Sequence, residues 1–293
     1  MTNRTITITS ACKVSTRNEQ IVILLPSGEE ETVPAEDIAC LMIESQEATI
    51  SIPAINKLTD YNAAVVICDG KHSPNSMLLT LHANSVQTER FARQLKMDDI
   101  TKDELWKQIV QAKISNQADT LYLLSKNGDN IAKLTNNVLS GDTSNVEGHA
   151  SRLYWRELFG KDFRRDRFGD GPNPVLNYGY TILRSATTRA LMCAGLYPCF
   201  GLHHRNRYDD FCLADDIMEP YRVFVDLEVF KMWCEGKRYT DKEVKQRLQS
   251  ILYCETVMGK SHKQMISALT DTCSSLVNAI EDKSSKILFP QIC

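Results

Sequence analysis

The chain has 293 residues, 43% of them hydrophobic and 24% charged, with a formal net charge of −3. That balance excludes disordered, collagen-like and coiled-coil classes, and at roughly 100–200 residues per domain it leaves room for one large or two modest domains. No run approaches the roughly 18 apolar residues of a membrane span, and the opening MTNRTITITS has no apolar core of a signal peptide, so no membrane partner and a cytoplasmic location are expected.

The ten cysteines include no C-x-x-C pair, which argues against a zinc ribbon or a thioredoxin-like site and for reduced thiols acting as small apolar groups. Charge is unevenly spread. Residues 1–85 hold five Lys/Arg against ten Asp/Glu, whereas residues 150–207 hold ten against four. In that basic stretch only Lys161 is not an arginine, the others including Arg152, Arg164, Arg165, Arg167, Arg184, Arg205 and Arg207. Planar guanidinium suits bidentate contact with phosphate, although a basic stretch is also compatible with a merely solvated face.

In chain order, RTITITS alternates polar and apolar residues with the period of a half-buried strand. Gln20–Leu25 is a β-branched run closed by the turn Pro26-Ser27-Gly28. Ile38–Ile43, Ala48–Ile52 and Ala64–Cys68 read as further strands, with a short helix opened by Pro53 over Ile55–Tyr61. A compact β-sandwich or sheet carrying one helix is expected over residues 1–85. From about residue 86 the period changes. Trp106, Val110, Ile114, Ala118 and Leu121 mark one helix face, and Ile131, Leu134 and Val138 repeat it. Asn173-Pro174 reads as N-cap and N1 of another helix with Ile182, Ala186 and Ala190 as its stripe and Gly195 at its C-terminal cap. Ser261 is placed to cap a last helix through Met265, Leu269, Cys273, Leu276 and Ile280. The expectation is an α+β chain: a β-rich domain over 1–85 and a larger all-α domain over 86–293.

Three clusters carry candidate chemistry. Ser144-x-x-Glu147 has the form of a capping box, in which the glutamate would serve the backbone. His203-His204 follows a Gly201 turn in a basic loop; adjacent residues face different ways, so at most one serves a given site. Asp216 and Glu219 stand three apart, where they could share a helix face, answer a helix dipole, or pair with Arg222, and Pro220 implies a kink if a helix is already running. Together the clusters offer two carboxylates and an imidazole beside many arginines. Such oxygen and nitrogen donors suit Mg²⁺ or Mn²⁺, which polarise phosphoryl oxygens.

Further segments make the sequence recognisable: Cys68-Asp69-Gly70-Lys71-His72 with Pro74-Asn75, Gln87–Gln94 (QTERFARQ), Ala112-Lys113-Ile114-x-Asn116-Gln117-Ala118, Val146-Glu147-Gly148-x-Ala150 with Tyr154, Leu176-Asn177-Tyr178-Gly179-Tyr180, Gly201-Leu202-His203-His204, and Asp216-Ile217-Met218-Glu219-Pro220-Tyr221-Arg222. In this order, over nearly the whole chain, they resemble the CRISPR-associated integrases that capture new spacers (the Cas1 family), most of all the type II branch. The resemblance implies a β-rich N-terminal dimerisation domain and an α-helical, metal-dependent catalytic domain. It implies a metal site and catalytic centre at Glu147, His204 and Glu219, His204 being preferred to His203 because its fifteen-residue step to Glu219 is similar to the family's spacing, with Asp216 as a supporting acid. It also implies insertion of double-stranded DNA protospacers into the CRISPR repeat by 3′-OH transesterification, metal-dependent endonuclease activity, a homodimer, a Cas2 dimer as partner and, in type II systems, contact with the effector nuclease. DNA contacts are expected from the seven arginines named above. Two other readings remain at this point: a catalytically inactive DNA-binding scaffold of the same complex, and a metal-dependent phosphoesterase for small substrates.

Overall fold

A computed structural model describes residues 4–70, 74–238, 240–282 and 284–292; Lys71 and His72 of the first recognised segment lie outside them. The chain divides into two compact units, 1–85 and 86–293, each described by itself.

In the first unit β1 (Arg4–Ile8), β2 (Lys13–Arg17), β3 (Gln20–Leu24), β4 (Glu30–Pro34), β5 (Ile38–Ile43) and β6 (Thr49–Ile50) precede α1 (Ile52–Asp60), followed by β7 (Ala64–Cys68) and β8 (Pro74–Leu78). One four-stranded sheet has the order β1-β5-β7-β8 and the other β4-β3-β2-β6. In the first, Leu41 of β5 is in register with Ile6 and with Val65, so β5 is flanked by parallel strands and all six of its residues are buried, the continuous apolar run expected of a strand covered on both faces. Side chains of both sheets and of α1 (Val14, Ile21, Leu41, Ala54, Leu58, Val65) form one core. The expected strands are present, but Ala48–Ile52 shortens to Thr49–Ile50: the Ser51 hydroxyl accepts from the Ala54 N–H and starts α1 earlier than expected. β2 and β4, which carry mostly polar residues, have no apolar alternation to announce them.

The second unit contains α2 (Gln87–Leu95), α3 (Asp99–Leu123), α4 (Asp129–Ala132), α5 (Val146–Phe159), α6 (Asn173–Cys193), α7 (Cys212–Met218), α8 (Arg222–Cys234), α9 (Lys242–Ser250), the hairpin β9 (Glu255–Met258) and β10 (Ser261–Gln264), and α10 (Met265–Glu281). This unit is mainly helical, as expected, with one small hairpin. Its axis is α3, which packs against α4, α5, α7 and α8 and buries residues on more than one face, including Lys113, Asn116, Gln117 and Thr120 besides the apolar stripe. Among the described residues no helix is long and apolar enough to cross a membrane.

Several local expectations shift. Ile131, Leu134 and Val138 do not continue a helix: α4 gives way to a 3₁₀ turn over Lys133–Asn137. Helix α6 begins at Asn173 itself, Pro174 falls in its first turn, and Asn173 turns its buried amide to the preceding loop instead of capping. Ser261 opens β10, because hairpin pairing with Met258 takes that segment before α10 can start. Gly195 ends α6 as expected: at φ 76° it lets Leu196 N–H return to the Leu191 carbonyl.

Asn116 couples α3 to the loop that matters most below. Its Nδ2 donates to the carbonyls of Pro220 (2.8 Å) and Pro290 (2.9 Å), all buried. Asn116→Ala leaves both carbonyls without that donor, and an expected loss of about 2–4 kcal/mol will show as a lower urea midpoint. An unchanged midpoint contradicts this coupling.

Candidate metal centre

The site is built from one helix start, one kink and the middle of α3. Asp142 lies buried in the turn before α5, and its carboxylate accepts from the N–H groups of Val146 (2.9 Å) and Glu147 (3.0 Å). Asn145 is the N-cap, accepting from Gly148 N–H at 3.1 Å. Two side chains therefore satisfy the first-turn donors that no helical carbonyl can reach. The Ser144-x-x-Glu147 capping box does not form: Glu147, relieved of backbone duty, accepts from Lys113 and from the Ser151 hydroxyl.

Glu219 sits where α7 stops. Pro220 cannot donate to a continuing helix, so Glu219–Tyr221 forms a 3₁₀ turn before α8, and Asn116 pins its Pro220 carbonyl. Lys113, one turn earlier on α3, stands between the two glutamates. Its Nζ is hydrogen-bonded to Glu147 Oε1 and lies 2.6 Å from Glu219 Oε2. That Glu219 oxygen is buried and in ion-pair contact, but no aligned hydrogen bond reaches it. Arg222 Nε lies 3.0 Å from Glu219 Oε1. Burial opposes ionisation of Glu219, but Arg222 and then Lys113 overrule it and hold the carboxyl down at about 2. Burial likewise pulls the Lys113 ammonium down, and Glu219 followed by Glu147 more than restores it. Lys113, Glu219 and Arg222 are charged at neutral pH.

His204 is positioned by Asp216, which is fully buried on α7. Asp216 accepts from the backbone N–H groups of Leu202 (2.6 Å), His203 (3.0 Å) and His204 (3.2 Å), and pairs with His204 Nδ1 at 2.6 Å. Gly201 permits this: a Cβ there would stand 2.4 Å from the His204 carbonyl oxygen and 3.0 Å from Asp216 Oδ2. Gln94 of α2 braces the preceding loop through the carbonyls of Tyr197 and Phe200. The hydrogen bond to Asp216 raises the His204 pKa and, in the neutral ring, places the proton on Nδ1 and the lone pair on Nε2, as in histidines that ligate metals. The doublet divides its labour: His203 lies flat on Trp106, 4.3 Å between ring centres, while His204 meets the same ring edge-on.

Two of the three residues expected to share an ion thus converge. Glu147 and Glu219 meet at one cationic atom. His204 is electrostatically coupled to Glu219, but among the described residues no three His, Cys, Asp or Glu side chains close on one ion-sized point. The donors fit a hard divalent cation in kind: two carboxylates, one with an oxygen lacking an aligned hydrogen bond, and an imidazole nitrogen held in ligating form.

Glu147, Glu219, Lys113 and Arg222 line a cavity of about 920 Å³ together with Arg152, Arg164, Arg165, Arg167 and Tyr180. The arginine loop is built, not loose. Asn173 holds the carbonyls of Arg164 and Asp170, Asn177 holds that of Arg167 at 2.7 Å, and the Arg165 guanidinium donates to both asparagine oxygens. Arg152, Arg164 and Arg167 have no carboxylate partner among the described residues. Other expected DNA contacts are engaged elsewhere: Arg184 clasps Asp215 through two bonds of 2.7 Å, Arg205 reaches Asp99 at 3.1 Å, and Arg207 covers the Tyr208 ring. Lys113 and Tyr180 stood in the recognised motifs without an assigned role, and Asp142 and Asp226 were not singled out at all. The signal for Lys113 was its place on the buried side of α3, three residues after Val110.

The helical unit thus gathers two carboxylates in a cleft lined by arginines. The family described as CRISPR associated protein Cas1 matches residues 6–264. A CRISPR-associated endonuclease Cas1 from Neisseria meningitidis serogroup C (strain 8013) is 34% identical, the match spanning 100% of this chain and 97% of the relative. Among solved structures, a casposase bound to integration product superposes with a TM-score of 0.79 at 18% identity, covering 98% of this chain and 92% of that one. A Cas6-RT-Cas1–Cas2 complex superposes with a TM-score of 0.74 at 20% identity, covering 98% of this chain and 36% of that one. The chain belongs to the Cas1 family.

Behind the cleft, Asp226 accepts hydrogen bonds from Tyr154 (3.1 Å) and from Tyr180. Burial raises its pKa to about 7 against the pull of both tyrosines. The folded chain therefore keeps a proton that the unfolded chain, with an ordinary Asp near 3.9, has released, and stability falls as pH rises from about 4 to 7. Asp226→Asn is expected to flatten that part of the stability–pH curve measured by urea unfolding; an unaltered slope rules this assignment out. Glu219 acts in the opposite sense: its contribution is complete above about 4.5 and is lost as pH falls toward 2.

Proposed function

We propose that this chain is a metal-dependent DNA integrase and endonuclease of CRISPR adaptation, which inserts short duplex protospacers into the repeat array. The observation that carries the reading is the convergence of Glu147 and Glu219 on one cationic point in the wall of a cleft edged by arginines. The Neisseria relative named as an endonuclease and the casposase bound to an integration product support the same chemistry.

In this reading Glu147, Glu219 and His204 through Nε2 hold Mg²⁺ or Mn²⁺. When bound, such an ion stabilises charge on the attacked phosphate and lowers the pKa of the attacking hydroxyl. Asp216 keeps the imidazole in ligating form. Arg152, Arg164 and Arg167 bind the phosphates flanking the reacting one, and the asparagine-fixed loop holds their spacing. The protospacer 3′ oxygen forms a bond to the repeat phosphorus as the bond from that phosphorus to the repeat 3′ oxygen breaks. The proton lost by the attacking hydroxyl ends on the departing oxygen, so no water is consumed. The N-terminal unit is the homodimer contact in this proposal, and Cas2 and, in a type II system, the effector nuclease are partners in the cytoplasm; the Cas2-containing neighbour supports the Cas2 partner.

Glu147→Gln, His204→Ala and Glu219→Gln are each expected to lower strand joining in Mg²⁺ or Mn²⁺ by at least ~10²-fold, with duplex binding in a gel-shift assay largely kept. Strand joining undiminished in all three variants sinks the assignment. Arg164→Ala with Arg167→Ala is expected to weaken duplex binding and make the slope of log affinity against log salt shallower by about 2. An unchanged slope places the DNA path elsewhere.

A further inference from the structure

Lys113 stands where both candidate ligand carboxylates aim. It is nearly inaccessible, its side chain being 10% exposed, and its ammonium contacts Glu147 Oε1 and Glu219 Oε2 at once. Mg²⁺ bound by the same two oxygens would lie about 2.0–2.1 Å from each, and the ammonium already occupies a contact position shared by both. The charges point the same way. Glu147 and Glu219 are balanced by Lys113 and Arg222, so a divalent ion added with the lysine in place would leave a buried excess of positive charge, which is costly.

We propose that Lys113 is a positioning residue that holds Glu147 and Glu219 together as an internal placeholder and competes with the divalent ion, which enters by displacing the ammonium. The lysine thereby sets how much free cation the site needs. The surroundings suit a removable cation. Lys113 is a flexible single-point donor and lines the cavity into which it could swing. Arg222, by contrast, lies over the Tyr180 ring and has its own contact with Glu219. Ser151 donates to Glu147 Oε1 at 3.0 Å and would keep that carboxylate oriented after the ammonium leaves. This inference rests on the reading of the two glutamates as metal ligands.

The test compares full-length wild type, Lys113→Met and Lys113→Arg after EDTA treatment and dialysis. Mn²⁺ binding is measured by calorimetry and melting temperature with and without Mn²⁺. Lys113→Met is expected to melt lower than wild type without metal, because Glu147 loses its cationic partner and Glu219 keeps only Arg222. It should bind Mn²⁺ on the order of tenfold more tightly and gain more melting temperature from it. Lys113→Arg should recover the metal-free melting temperature and bind Mn²⁺ no more tightly than wild type. Equal or weaker Mn²⁺ binding by a folded Lys113→Met protein overturns the placeholder. If Lys113→Met does not fold without metal, a Mn²⁺-bound crystal structure of wild type decides: Nζ away from both carboxylates supports the proposal, and Nζ still bridging them overturns it. Absence of Mn²⁺ binding in both wild type and Lys113→Met overturns the metal reading of the site, a result distinct from equal binding by the two.

Discussion

A buried ammonium between two carboxylates organises the helical unit. Removing charges from water costs several kcal/mol for each ion, so Lys113, Glu147, Glu219 and Arg222 are tolerable only as a neutral, mutually satisfied set. That requirement ties three separate stretches of chain to one point: the middle of α3, the first turn of α5 and the kink before α8. The elements that deliver these side chains are stiffened accordingly, by Asp142 and Asn145 at the start of α5, and by Pro220 with Asn116 at the kink.

Around this centre the chain repeatedly commits polar side chains to backbone. Asp216 gathers three consecutive N–H groups to shape the histidine turn, Gln94 fixes the loop before it, and Asn173 and Asn177 fix the arginine loop. Each arrangement turns an irregular segment into a rigid support. In the proposed reaction such supports hold the attacking oxygen and the phosphorus in line, on which the rate depends. The recognised motifs are thus mixed in role: some of their residues face the cleft, and others hold up the loops that do.

How far the sequence could be read depended on whether a signal was periodic or combinatorial. The α3 stripe from Trp106 to Leu121 and the run of β5 were legible because burial of one or both faces imposes a period. β2 and β4 were not, since their polar residues leave no alternation. The start of α10 was misplaced because Ser261, a good capping residue, is taken by hairpin pairing, a tertiary demand that local propensity does not register. Glu147 shows the same conflict. Its capping-box pattern was sound local chemistry, but Asp142 and Asn145 serve those N–H groups and leave the glutamate to Lys113.

The order of residues by itself determined the division into strands followed by helices, the acidic and basic asymmetry, and which carboxylates and imidazoles were available. Those properties are carried by spacing and composition along the chain. Only the tertiary structure decided that Lys113 would stand between Glu147 and Glu219, that the His204 ring and not the His203 ring would be held by Asp216, and that Arg184 would be tied to Asp215 while Arg164 and Arg167 edge the cleft. Charges separated by many tens of residues acquire partners only when packing brings them within a few ångströms in a medium that screens them poorly, and no pattern along the chain encodes that distance.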